Sequence, residues 1–118
     1  MVKNVRVILS SDAAEVYRHL NEEAEHSKID KSILTAVNNK IELIKANFHY
    51  GYPIARDLIP EEYREKYGIT NLFWVELPSF WRMLYTLKDG ENEIEIIAFV
   101  LDIVNHNEYD KKFGYKKK

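Results

Sequence analysis

Four side chains carry the chemistry that this sequence can offer: Arg82, His106, Tyr109 and Glu76. Arg82 stands in the run Phe80-Trp81-Arg82-Met83-Leu84-Tyr85-Thr86-Leu87, where its neighbours are aromatic or aliphatic. A guanidinium keeps its charge when partly buried and can grip two phosphate oxygens at once. His106 and Tyr109 follow the next apolar run, Ile94 to Val104, and histidine is the side-chain type whose charge changes near neutral pH. A cation in a sheet, with an imidazole and a phenol at a neighbouring strand end, is the equipment of a metal-free phosphodiester-cleaving site. Each residue also has a plainer role open to it. Arg82 can pair with Glu76 across the turn at Pro78-Ser79, His106 can be a surface residue, and Tyr109 can pack under the C-terminal turn with Phe113 and Tyr115.

The elements that must position these groups follow from hydrophobic spacing. Val5 to Leu9 reads as an opening strand. Ser10-Ser11-Asp12 offers an N-cap, and Glu15 three residues after Asp12 predicts a capping box and a helix running to about Glu25, with Ala13, Val16, Tyr17, Leu20 and Ala24 on its apolar side. Asp30 is the expected cap of a second helix, striped by Ile33, Leu34, Val37, Ile41, Ile44 and Phe48. The short joint His26 to Ile29 makes the two an antiparallel pair. Gly51-Tyr52-Pro53 breaks the second helix, and Pro60 with Gly68 brackets a short third one. Leu72 to Leu77 and Phe80 to Leu87 form a hairpin about Pro78-Ser79, and a last strand follows Lys88-Asp89-Gly90-Glu91-Asn92. The expected fold is α+β and two-layered: a mostly antiparallel four-stranded sheet in the order strand, two helices, three strands. The N-terminal helix pair covers one face, and the other is open and concave.

With 118 residues and 46% hydrophobic content, the chain is expected to form one domain over 1–118. It has no cysteine, which excludes disulfides and thiolate metal sites. No pair among its four histidines has zinc-ligand spacing, and His19, His26 and His49 are expected to be structural or solvent-facing. A net charge of −2 argues against a protein that coats nucleic acid without selectivity. The charge is unevenly spread: six acids face only Arg18 and Lys28 between residues 12 and 30, whereas five lysines follow residue 106. That basic end, with Lys111, Lys112 and Tyr115 beside His106 and with Arg56 in the preceding loop, suits contact with an RNA backbone. Neither a secretory signal nor a membrane span is legible in the sequence, and the expected location is cytoplasmic.

The strings Asn71-Leu72-Phe73-Trp74-Val75-Glu76-Leu77, Trp81-Arg82-Met83-Leu84-Tyr85-Thr86 and His106-Asn107-Glu108-Tyr109, in that order, resemble the RelE/ParE toxin superfamily, the toxin halves of bacterial and archaeal type II toxin–antitoxin pairs. The Arg-aliphatic-aliphatic-Tyr strand matches Arg82-Met83-Leu84-Tyr85, and the terminal His-x-x-Tyr matches His106 and Tyr109. The resemblance covers nearly all of the chain and implies a RelE-like endoribonuclease that cuts mRNA in the ribosomal A site, with neither metal nor cofactor. In that chemistry the ribose 2′-OH attacks the adjacent phosphorus, leaving a 2′,3′-cyclic phosphate and a 5′-OH. Arg82 would hold the phosphoryl charge, His106 would act as general acid or base, and Tyr109 would position the phosphate or stack on a base. The basic residues of some RNase members on the preceding strand are replaced here by Trp74, Val75 and Glu76, and Glu76 is the candidate carboxylate base. The implied partner is a cognate antitoxin that wraps the domain and through which it could oligomerise, with no membrane involved. A ParE-like inhibitor of DNA gyrase and a catalytically inactive protein-binding module on the same fold are the alternatives.

Overall fold

The structure, a computed structural model, describes residues 4–90 and 95–114. Strand β1 (Asn4–Leu9) leads into helices α1 (Ser11–Glu23) and α2 (Lys28–Ala46). A two-residue strand β2 (Tyr52–Pro53) and helix α3 (Glu61–Tyr67) precede strands β3 (Phe73–Leu77), β4 (Trp81–Asp89) and β5 (Glu95–Val104). Helix α4 (His106–Phe113) closes the described chain. The α+β class is as expected, but the sheet is larger and mixed: five strands in the order β1-β5-β4-β3-β2, with β1 parallel to β5 and the other pairs antiparallel. The extra strand is β2, which pairs Tyr52 with Trp74 and Pro53 with Phe73.

Each of the two helices starts on a serine cap, for the same physical reason: the first falls within the expected Ser10-Ser11-Asp12, and the second lies three residues before Asp30. Ser10, rather than Asp12, caps α1: its Oγ accepts from the Ala13 amide at 3.0 Å and donates to the Leu101 carbonyl at 2.6 Å. Glu15 pairs with Arg18 instead of closing a capping box. Ser27, rather than Asp30, caps α2 by accepting from the Asp30 amide at 3.2 Å, which leaves Asp30 in the first turn, where its charge suits the helix dipole. Serine wins at each site because its short hydroxyl reaches the orphan amide from an extended backbone. A Tyr17 hydroxyl to Asn38 bond of 2.7 Å links the two helices.

One face of the sheet packs Val75, Leu77, Met83, Tyr85, Val100 and Ile103 against Ala13, Leu20, Ile33, Val37 and Ile44 of the helix pair. The opposite face, expected to be open, carries a second core. There Leu72, Leu84, Leu101 and Val104 pack with Ile59, Tyr63, Ile69 and Tyr109, supplied by α3, its flanking loops and α4. A register shift between Leu84 and Tyr85 makes this possible. Leu84 opposes Asp102 while Tyr85 opposes Val100, so Leu101 is the extra residue of a bulge, and Leu101 and Asp102 both join the second face. Met83 to Thr86 are buried without alternation, as strands covered on both sides are. No described helix is long and apolar enough to cross a membrane.

Candidate functional site

Arg82 sits on β4 with Glu76 of β3 opposite it on one side and Val104 of β5 on the other. Trp74, two residues from Glu76 along β3, therefore shares its face of the sheet. The guanidinium carbon lies 4.2 Å from the centre of the Trp74 ring and 4.4 Å from that of Tyr109. Two aromatic faces thus hold the charge by cation–π contact, a stronger arrangement when partly desolvated, as at this half-buried residue. Glu76 is exposed, and among the described residues Arg82 makes no ion pair within 4.0 Å, so the expected alternative pairing with Glu76 does not form. A guanidinium engaged through its π surface keeps its N–H edge for an anion.

Helix α4 supplies the rest. Asn105 caps it by accepting from the Glu108 amide at 2.9 Å, and Glu108 reaches back to the Asn105 amide at 3.4 Å. This capping box fixes His106 as the first helical residue and sets Tyr109 three residues on, against Arg82. Tyr109 is only 4% exposed and stacks on Phe113 at 4.2 Å. Its packing role is therefore the one realised: the ring is covered, cannot stack on a base, and instead positions Arg82. His106 is exposed, with Nε2 3.1 Å from Oδ2 of Asp110, one turn along the helix. Its ring lies 6.2 Å from Phe80, which is 82% exposed at the hairpin tip. Ser79 and Phe80 both take positive φ (59° and 62°), a conformation that bends the β3–β4 connection tightly and turns Phe80 outward.

Beside this cluster, a buried polar network ties α4 to α3 and β5. The Tyr63 hydroxyl donates to Asp102 at 2.9 Å, and Lys112 Nζ lies 3.4 Å from Asp102 and 3.2 Å from Glu62. Burial first, and then the Asp102 carboxylate, push the Tyr63 phenol well above its ordinary range. Burial alone would lower the Lys112 ammonium, but Asp102 and Glu62 outweigh it and raise the group. Lys112, expected to meet RNA, is thus engaged inside the fold, whereas Lys111 is exposed. Arg56 is exposed in the turn 56–58, its Nε 3.4 Å from the Thr70 carbonyl. Tyr115 and the lysines after it lie outside the described residues, as does the start of the last strand at Ile94.

The arrangement therefore brings Arg82, Tyr109, His106 and Glu76 to one rim of the sheet, between the β3–β4 hairpin and α4. Sequence reasoning missed three contributors. Trp74, an aromatic in a strand, reads from sequence alone as core or hairpin packing, although its parity with Glu76 places it beside Arg82. Asp110 was overlooked although its spacing of four from His106 is the signal of a helical pair. Tyr52, an exposed ring 4.8 Å from Trp74, extends the row outward. No protein-family model, curated protein or solved structure matches this chain.

Proposed function

We propose that this chain is the toxin of a RelE/ParE-type toxin–antitoxin pair, acting in the cytoplasm as a metal-free, ribosome-dependent mRNA endoribonuclease. The observation that carries the reading is the Arg82 guanidinium, held against Trp74 and Tyr109 with no carboxylate partner among the described residues. A half-buried cation without an acid to neutralise it is a ready seat for a phosphate. The order of one strand, two helices and three long strands supports the reading too, with β2, α3 and α4 as additions.

The chemistry divides among the neighbours of that seat. Glu76, directly across from Arg82, takes the proton of the attacking 2′-OH. The new P–O bond forms as the P–O5′ bond breaks, and Arg82 balances the charge that gathers on the non-bridging oxygens. His106, oriented by Asp110, donates a proton to the leaving 5′-oxygen. The products are a 2′,3′-cyclic phosphate and a 5′-OH. A cognate antitoxin would cover this rim in the inactive pair.

A translating extract supplied with the purified protein tests the proposal. Wild type should cut the message within codons held in the A site, and Arg82→Ala and His106→Ala should leave it whole. Message that stays intact with wild type sinks the reading. A non-catalytic protein-binding module is the second reading, favoured by the burial of Tyr109; it requires that Arg82→Ala leave growth inhibition unchanged. The gyrase-inhibitor alternative draws on the lack of basic residues in β3 and predicts loss of supercoiling in a gyrase assay.

A further inference from the structure

Tyr52 is an exposed ring that the fold takes trouble to fix. Its side chain is among the most exposed of the large hydrophobics, at 61%, on the edge strand of the sheet. The backbone beneath it is pinned. The Gly51 amide donates to the Tyr85 hydroxyl at 2.9 Å, and that hydroxyl donates to the Phe48 carbonyl at 2.9 Å. Pro53 follows, with its φ set by the ring, and Tyr52 itself stands in register with Trp74. One side of the Tyr52 ring leans on Trp74, with centres 4.8 Å apart and planes tilted by 33°. The next contact in the row is Arg82 on Trp74 at 4.2 Å. Where β2 ends, a depression of about 180 Å³ opens at the sheet edge, lined by Lys40, Tyr50, Tyr52, Val75 and Glu76. Lys40 Nζ lies 3.0 Å from the Tyr50 hydroxyl.

We propose that Tyr52 is the stacking platform for one base of a single-stranded RNA whose phosphate rests on Arg82, with Lys40 beside that base's hydrogen-bonding edge. The inference rests on the endoribonuclease reading and adds the substrate subsite. Single-stranded RNA is recognised by aromatic faces that take unstacked bases and by cations that follow the backbone. Tyr52, Trp74 and Arg82 run in sequence along one face, and Lys40 of α2 reaches the depression at the sheet edge beside Tyr52. Tyr52 stands two ring contacts from the guanidinium, through Trp74. Lys40 offers a donor to an acceptor on that edge.

The test uses a short fluorescent RNA with 2′-O-methyl groups, which binds but cannot be cut. Wild type, Tyr52→Phe and Tyr52→Leu are titrated by anisotropy against this RNA and against copies made abasic at one position at a time. Tyr52→Phe should bind like wild type, and Tyr52→Leu about ten-fold more weakly. One abasic position should weaken wild type by a similar factor and leave Tyr52→Leu unaffected. Equal binding by Tyr52→Leu, additive losses at every position, or no binding by wild type overturns the platform. Running the same proteins in the translating extract separates the two claims. Cleavage by wild type with Tyr52-independent binding removes only the platform. Tyr52-dependent binding without cleavage removes only the nuclease.

Discussion

Arg82 gains from Trp74 and Tyr109 what a carboxylate would otherwise give it, and the exchange has a chemical consequence. An acid partner would neutralise the charge and occupy the N–H edge; two rings hold the planar group and leave that edge available. Lysine in its place keeps the charge but neither the plane nor the two-pronged grip. Arg82→Lys should therefore lower message cleavage by about 10²-fold, while thermal stability falls by only about 1 kcal/mol; paired rate and melting measurements separate the two effects. The imidazole depends on its neighbour in the same way. His106→Gln should cost about 10²–10⁴-fold in rate, and Asp110→Asn a smaller part of that, since the ring remains but loses the carboxylate beside Nε2. The arginine, histidine and glutamate were legible in the sequence because their types stand out among apolar runs. Trp74 was not, because an aromatic in a strand reads as packing until its register partner is known.

At the scale of elements, α4 is held by a polar clasp as much as by apolar contact. Tyr63 and Lys112 meet at the buried Asp102, which is 8% exposed. Both partners are raised in the folded state, so the stability they add is fully present below their ordinary values near 10 and is lost as pH climbs through the raised ones. Lys112→Met should remove much of the alkaline sensitivity of α4 and also weaken the clasp at neutral pH, because Asp102 then keeps only Tyr63; urea titrations at neutral and alkaline pH report both. The loop that leads to β2 is governed by space. A β-carbon at Gly51 would stand 2.8 Å from the Tyr85 ring and 3.0 Å from the Trp74 carbonyl. Gly51→Ala should destabilise the protein by about 1–3 kcal/mol, read as a lowered melting temperature. Long elements with their own signals were readable: the stripe of α2 and the proline and glycine around α3. Strand β2 was not, since its two residues are a strand only by virtue of Trp74 and Phe73, and Gly51-Tyr52-Pro53 alone reads as a break. Helix α4 did carry a signature, Asn105 with Glu108, which the approach of the chain's end obscured.

For the whole molecule, the decisive feature is that the sheet is covered on both faces. An open concave face would have offered a broad floor for RNA; the second core of Leu84, Leu101, Val104 and Tyr63 removes it. Among the described residues, the groups assigned to meet a substrate lie along one rim, from Tyr52 through Trp74 and Arg82 to His106. The unbroken burial of Met83 to Thr86 was written in the sequence as an apolar run, but one strand's composition does not reveal which later segment will cover it. The bulge at Leu101, which turns two successive residues to one face, has no sequence signal of its own. The chemistry assigned to that rim makes a demand on the reaction products that no binding role shares. End-group analysis of message cut by the wild-type protein in a translating extract addresses it most directly. A 2′,3′-cyclic phosphate and a 5′-hydroxyl, with no cutting where the attacking ribose is 2′-deoxy, is the predicted result; a 5′-phosphate, or cutting at the deoxy position, would contradict it.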